Sequence, residues 1–73
     1  MNPDQSWRFG DLLRQHRRAA GLTQETLAAR SGLSARAIQE LEHGRRQPLL
    51  DTLRRLIHAL RLSEAAQTEF AAS

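Results

Sequence analysis

A short stretch near the middle of the chain places side chains that can form hydrogen bonds on one side of a helix. At about 100° per residue, a helix from Ser34 to His43 separates its polar and apolar side chains into two arcs. The outer arc is formed by Ala35, Arg36, Gln39, Glu40 and His43. It contains no large apolar residue, so core packing does not account for it. It is either a solvated surface or a surface that binds a hydrogen-bonding partner.

The basic residues of the chain are all of one kind. All 11 of them are arginine in a chain of formal net charge +3. The planar guanidinium group donates two parallel hydrogen bonds, which suits phosphate groups and the edges of bases. A genome that favours arginine codons would give the same bias, and the many alanine and leucine residues agree with that explanation. Composition leaves both explanations open.

Length and composition limit the class of protein. A chain of 73 residues has enough apolar surface for one hydrophobic core only, so we expect a single domain over residues 1–73. The chain has no cysteine, which excludes disulfides and thiolate metal sites and favours a cytoplasmic location. No apolar run approaches the roughly 20 residues of a membrane-spanning helix, and the first residues lack the apolar stretch of a signal peptide.

The sequence lacks the residues that catalysis needs. It has no cysteine nucleophile and no glycine-rich loop for phosphate groups, and His16, His43 and His58 do not have the spacing of metal ligands. We therefore expect no enzyme activity, no metal and no cofactor.

Glycine and N-capping residues divide the chain into helices. Gly21, Gly32 and Gly44 each follow a helix-forming run and can end it in the left-handed conformation. The predicted N-caps are Ser6, Thr23, Ser34 and Ser63. The predicted helices cover residues 6–20, 24–31, 35–43, 50–60 and 64–71. Because no run of alternating β-branched residues is present, we expect a compact all-α fold of five helices.

Helical spacing predicts the core side of each helix. The inward residues of the first helix are Phe9, Leu13, His16 and Ala20. Those of the third helix are Ala37, Ile38, Leu41 and Glu42. Those of the fourth helix are Leu50, Leu53, Leu56, Ile57 and Leu60. Phe70 is the one large anchor of the last helix, and we place Trp7 in the core near it in preference to an exposed contact with a partner.

The second and third predicted helices form a unit. They are joined by Gly32 and Leu33, and Ser34 opens the later helix, which is the turn chemistry of a helix-turn-helix. Small Ala28 lets the two helices cross closely. Residues that continue this pattern from Phe9 to about Ser63 are Gly21, Leu22, Thr23, Gln24, Leu27, Ala28, Gly32, Leu33, Ile38, Leu41, Glu42, Gly44, Pro48, Leu50, Thr52 and Leu53.

In this pattern the chain resembles the Cro and lambda-repressor-like helix-turn-helix family, the xenobiotic-response-element-type bacterial transcriptional regulators. The resemblance implies a lambda-repressor-like domain in which helices two and three form the helix-turn-helix. It also implies sequence-specific binding of double-stranded DNA, with the third helix in the major groove.

The resemblance places four base contacts on the first turns of the third helix, at Ala35, Arg36, Gln39 and Glu40. Arg36 can donate two hydrogen bonds to guanine, Gln39 can pair with adenine, and Ala35 can touch a thymine methyl group. Glu40 has two roles open to it. It can accept a hydrogen bond from cytosine, or it can hold Arg36 through an i, i+4 ion pair.

The resemblance also implies phosphate contacts at Gln24, Ser34, Arg45 and Arg46. Gln24 opens the second helix, whose free N–H groups suit an anion; the alternative is a plain surface glutamine. Ser34 would bond a phosphate as well as cap its helix. Arg45 and Arg46 follow the third helix and would contact the phosphates that flank the groove, unless they face only water.

One implied ion pair is structural. Arg17 would pair with Glu42 and tie the first helix to the end of the third.

Two residues depart from the family pattern. His16 stands where leucine is more common, and we expect a partly buried neutral histidine there, with a pH sensor as the alternative. Leu49 replaces the usual serine or threonine cap, so the fourth helix begins less firmly.

Another function and a larger assembly stay open. The same fold can serve as a protein-interaction module of the antitoxin or adaptor type, although a phosphate-facing rim at Arg45 and Arg46 has little purpose without nucleic acid. The featureless end at residues 71–73 and the small size lead us to expect the leading, DNA-reading part of a larger regulator. A homodimer is a further option.

Overall fold

The computed structural model describes residues 6–72, apart from the side chain of Ser6. It has five helices: α1 (Ser6–Ala19), α2 (Gln24–Ser31), α3 (Ala35–Glu42), α4 (Leu50–Leu60) and α5 (Glu64–Ala72). No strand occurs in this part of the chain, and the predicted all-α fold is confirmed. The helix ends lie within one residue of the predicted ones. The predicted cap at Ser6 lies outside the described side chains.

Three of the helices begin at a side-chain cap, as predicted. The hydroxyl oxygen of Thr23 accepts from the N–H of Thr26 at 3.0 Å, and that of Ser34 accepts from Ala37 at 3.0 Å. Ser63 does the same at the start of α5, over 3.2 Å. Each of these caps satisfies one N–H group that has no partner inside its helix. By contrast α4 begins after Leu49 with no side-chain cap, which was also expected.

The turn between α2 and α3 requires glycine at position 32. Gly32 has a φ of 77°, and its N–H donates to the carbonyl oxygen of Ala28 at 2.9 Å. A side chain is strained in this left-handed conformation. A Cβ atom on Gly32 would also lie 2.7 Å from Nη1 of Arg55, so the end of that flexible side chain would have to shift.

The core lies where α1, α2, α3 and α4 meet, and α5 closes one side of it. Its fully buried large side chains are Phe9, Leu13, Leu27, Ile38, Leu41, Leu56 and Phe70. The rings of Phe9 and Phe70 lie 4.6 Å apart and join α1 to α5. The half-buried ring of His16 meets Phe70 edge-on at 5.8 Å.

Three predictions about the core were wrong. Leu50 is 63% exposed and Trp7 is also exposed, because each lies on a side of its helix that no neighbouring helix covers. On α4 only Leu56 and Leu60 are buried, while Leu53 and Ile57 are half-buried. Ala20 lies beyond the end of α1 and is exposed.

Among residues 6–72, no helix combines the length and apolar character that a membrane span requires.

Candidate nucleic-acid interface

The side chains of α3 divide into the two predicted arcs. Its inward residues, Ala37, Ile38, Leu41 and Glu42, are all buried. On the other side Arg36, Gln39 and His43 are exposed, and Ala35 and Glu40 are half-buried. The inward arc fixes the helix to the core, so the outer arc is held in a defined orientation toward solvent.

The outer arc of α3 forms one wall of an open groove. The groove is lined by Gln24, Glu25, Ala35, Arg36, Gln39, Glu40 and Arg45. It therefore brings together the start of α2, the outer arc of α3 and the loop that follows α3. All four predicted base-contact residues line it, together with two of the predicted phosphate contacts. Ser34 and Arg46 lie outside its lining.

Glu40 lies between two arginines. Its Oε1 is 2.8 Å from Nη2 of Arg46, and its Oε2 is 3.5 Å from Nε of Arg36. The second distance corresponds to the i, i+4 pair that the sequence left open. The contact with Arg46 was missed, because helical spacing does not place a side chain in the loop after the helix.

The buried carboxylate of Glu42 is surrounded by donors from two other helices. Arg17 donates through Nε to Oε2 at 2.5 Å and through Nη2 to Oε1 at 3.0 Å. Gln24 donates through Nε2 to Oε1 at 3.1 Å. The structure thus brings Arg17 and Glu42 together, and it adds Gln24, for which the sequence predicted either a phosphate contact or a plain surface position.

The ionisation of Glu42 depends on these donors. Burial on its own would raise the pKa of Glu42, because it removes water from the charged form. Hydrogen bonds from Arg17 and Gln24, with the charges of Arg17 and Arg14, outweigh burial, and the pKa of Glu42 lies below its ordinary value of 4.5. The hydrogen bond to Glu42 in turn raises the pKa of Arg17. Glu42 is therefore charged at neutral pH.

Two further residues of α1 position the end of α3, and neither was predicted. Arg14 donates through Nη2 to the backbone oxygen of Glu42 at 3.0 Å. At Gly10, an added Cβ atom would lie only 2.5 Å from the same oxygen. Gly10, Arg14 and Arg17 follow each other at spacings of four and three residues, which places them on one face of α1. This shared face is the sequence signal that could have identified Gly10 and Arg14.

Arg55 connects α4 to the turn of the helix-turn-helix. Its Nε lies 2.7 Å from Oδ2 of Asp51, and its Nη1 donates to the backbone oxygen of Ser31 at 3.4 Å. Its guanidinium group therefore covers the C-terminal end of α2.

No group of three or more potential metal ligands occurs among the described residues.

Known proteins share this sequence pattern. The sequence model of a family described as "Helix-turn-helix domain" matches residues 8–70. The "Uncharacterized HTH-type transcriptional regulator y4dJ" of Sinorhizobium fredii is 51% identical over 47 residues, which are 64% of this chain and 61% of that protein. An "Uncharacterized HTH-type transcriptional regulator" of Methanothermobacter thermautotrophicus is 47% identical over 49 residues, which are 67% of this chain and 71% of that protein. The chain thus spans about three fifths of the length of the first relative.

Two solved structures share the fold. The restriction-modification controller protein C.AhdI from Aeromonas hydrophila has a TM-score of 0.79 at 37% identity, over 85% of this chain and 94% of that one. The clp gene regulator ClgR from C. glutamicum has a TM-score of 0.82 at 34% identity, over 97% of this chain and 92% of that one. With the family match over residues 8–70, these findings show that the chain belongs to the helix-turn-helix domain family, in its Cro and lambda-repressor-like form.

Proposed function

We propose that the chain binds specific sequences of double-stranded DNA as a bacterial transcriptional regulator, with α3 in the major groove. The observation that carries the proposal is the single groove at which the start of α2, the outer arc of α3 and the next loop meet. An α-helix of this kind fits the major groove, where each base pair has its own pattern of donors and acceptors. The helix-turn-helix family and its fold are those of DNA-binding proteins and not of enzymes.

The base-reading residues in this proposal are Ala35, Arg36 and Gln39. Arg36 and Gln39 are exposed on adjacent turns of α3, so both side chains can reach a base edge without any change in the core. Arg36 donates two hydrogen bonds to O6 and N7 of guanine, and Gln39 pairs with N7 and N6 of adenine. The methyl group of Ala35 contacts the methyl group of thymine.

The phosphate contacts in this proposal surround α3. Gln24 uses one amide hydrogen on Glu42 and keeps a second for a phosphate. The oxygen of Ser34 accepts from Ala37, which leaves its hydroxyl hydrogen free to donate. Arg45 lines the groove, whereas Arg46 is paired with Glu40. Such contacts set the position of the protein on the duplex and do not themselves read sequence.

Salt dependence tests the DNA contact directly. We expect the wild-type protein to bind labelled random-sequence duplex with a dissociation constant that rises steeply with salt. Each phosphate that is neutralised adds roughly 0.9 to the slope of log K against log salt, so the Arg45→Ala, Arg46→Ala double variant flattens the slope by about 0.9 for each of the two arginines that contacts a phosphate. Arg8→Ala with Arg54→Ala is the matched control, because it removes the same charge from exposed positions that line other grooves.

A second candidate function is a protein-interaction module. The exposure of Trp7, Leu49 and Leu50 favours it, since exposed large apolar side chains are typical of protein contacts. Folded protein that fails to bind duplex DNA even at low salt would support this function and reject the DNA-binding one.

A homodimer on DNA would read half-sites about 10 base pairs apart, which a symmetric selected motif would show.

A further inference from the structure

The carboxylate of Glu40 engages two of the cations on the proposed DNA-binding face. Arg36 stands one turn before it on α3, and Arg46 stands in the loop after the helix. The shorter contact, 2.8 Å, is the one to Arg46. The contact to Arg36 is 3.5 Å, so Arg46 is the more firmly held of the two.

The two neighbouring arginines of this loop differ in their surroundings. Arg45 lines the groove and forms no ion pair with any residue of the described part of the chain. Arg46 contacts Glu40, yet its side chain remains 53% exposed. The pair is therefore accessible to water and to a DNA phosphate, so a phosphate must compete with Glu40 for the guanidinium group of Arg46.

We propose that Glu40 restrains Arg46, and to a smaller extent Arg36, and thereby lowers the affinity of the protein for DNA of any sequence. The proposal rests on the proposed function. In the wild-type complex with non-cognate DNA, Arg46 stays on Glu40 and Arg45 makes the phosphate contact of the loop. Base contacts consequently carry a larger share of the total affinity.

Counterion release explains why the restraint matters. The sequence-independent affinity of a protein for DNA grows with the number of phosphates that its cations neutralise. An arginine held by a carboxylate does not contribute to that number. In addition, the negative charge of Glu40 itself repels the phosphates that approach the groove.

The test compares two substitutions that each remove one negative charge from the same groove. Glu40→Gln releases the arginines, while Glu25→Gln is the matched control, because Glu25 lines the groove and forms no ion pair with a described residue. Binding of labelled random-sequence duplex is measured at several salt concentrations. We expect Glu40→Gln to bind roughly twofold to tenfold more tightly at low salt, with a slope steeper by about 0.9. Glu25→Gln keeps the wild-type slope.

Single arginine substitutions give a second, independent readout. In the wild-type background Arg45→Ala flattens the salt slope by about 0.9 and Arg46→Ala changes it far less. In the Glu40→Gln background Arg46→Ala flattens the slope as much as Arg45→Ala does. Thermal unfolding of each variant verifies that it is folded, and the comparison of Arg45→Ala with Arg46→Ala does not require Glu40→Gln to fold.

The outcomes separate this proposal from the one on which it rests. If the wild type binds duplex but Glu40→Gln matches Glu25→Gln, or if Arg46→Ala and Arg45→Ala flatten the wild-type slope equally, the restraint is refuted and DNA binding stands. If folded wild type binds no duplex at any salt concentration, both proposals fail.

Discussion

The side chain of Glu42 joins three helices through one carboxylate. It stands at the end of α3 and accepts hydrogen bonds from Arg17 of α1 and Gln24 of α2, and the residue is only 3% exposed. A charge buried to this degree destabilises the fold unless it is paired. The orientation of α3 therefore depends on donors that belong to α1 and α2.

Loss of Arg17 tests this dependence. We expect Arg17→Met to lower the free energy of unfolding by about 3 to 5 kcal/mol, because it leaves the buried carboxylate of Glu42 without its main partner. Urea unfolding measures the change. Arg18→Met is the control, since its side chain is exposed on the same helix. A midpoint for Arg17→Met equal to that of the control would refute the structural role of the pair.

Acidification tests the same carboxylate. The pKa of Glu42 is lower in the folded chain than its ordinary value of 4.5, so the unfolded chain takes up the proton first as the pH falls. The stabilisation is thus complete above that value and is lost as the pH falls through the folded pKa. We expect the free energy of urea unfolding to decline in acid more steeply for the wild type than for Glu42→Gln. Equal declines would show that Glu42 is not the responsible group.

For individual residues, the sequence predicted which side of a helix a side chain lies on better than it predicted contacts between separate segments. Glu42 was placed inward by helical spacing, and the family resemblance supplied Arg17 as its partner. The contact between Glu40 and Arg46 was not predicted, because the path of the loop after α3 decides it. Long arginine side chains also reach several neighbours, so Arg14 could not be assigned to the backbone of Glu42 from spacing alone.

The crossing of α1 and α3 depends on the absence of a side chain at position 10. A Cβ atom there would lie 2.5 Å from the backbone oxygen of Glu42 and 2.7 Å from that of Leu41. Backbone atoms cannot move aside as a flexible side chain can. Close approach of the two helices is what puts Arg14 and Arg17 within reach of the end of α3.

Gly10→Ala tests this close approach through the sign of its effect. Helix propensity alone predicts that alanine stabilises α1 by up to about 1 kcal/mol. The contact with α3 predicts a loss of about 1 to 3 kcal/mol instead, because the helices must separate. Thermal unfolding decides between them, and a higher melting temperature for Gly10→Ala would reject the close crossing.

The start of α4 offers an opposite test, in which a substitution should stabilise the fold. Leu49 is 75% exposed and leaves the first N–H groups of α4 without a side-chain cap. We expect Leu49→Ser to raise the free energy of unfolding by about 0.5 to 1 kcal/mol, because its hydroxyl can accept from one of these groups. Chemical denaturation measures this gain. Leu49→Ala, which removes the side chain without adding an acceptor, should show none of it.

The positions of the helices could be predicted from the sequence, whereas the extent to which each helix is buried was harder to predict. Serine or threonine caps predicted where α2, α3 and α5 begin, and glycine stops predicted where α1, α2 and α3 end. For α4, spacing identified the correct face, yet Leu50 is exposed and only two of the five inward residues are buried. How far a face is covered depends on the length and position of neighbouring helices, which a local pattern does not contain.

At the largest scale, the five helices build one core that must orient one surface. A chain of 73 residues can bury little more than a minimal core, so we expect a few kcal/mol to separate its folded and unfolded states. Phe70 shows how the last helix takes part, because its buried ring packs against Phe9 of α1. The general fold could be predicted because every helix stop agreed with one family pattern.

The central claim is that α3 reads bases. Its most direct test is the selection and sequencing of random duplex DNA with three proteins: the wild type, Arg36→Ala and the control Arg54→Ala. We predict that wild type and Arg54→Ala enrich the same short motif, whereas Arg36→Ala loses preference at one position of it and binds it about 1 to 3 kcal/mol more weakly. An Arg36→Ala motif identical to that of the wild type would contradict the assignment of Arg36 to a base.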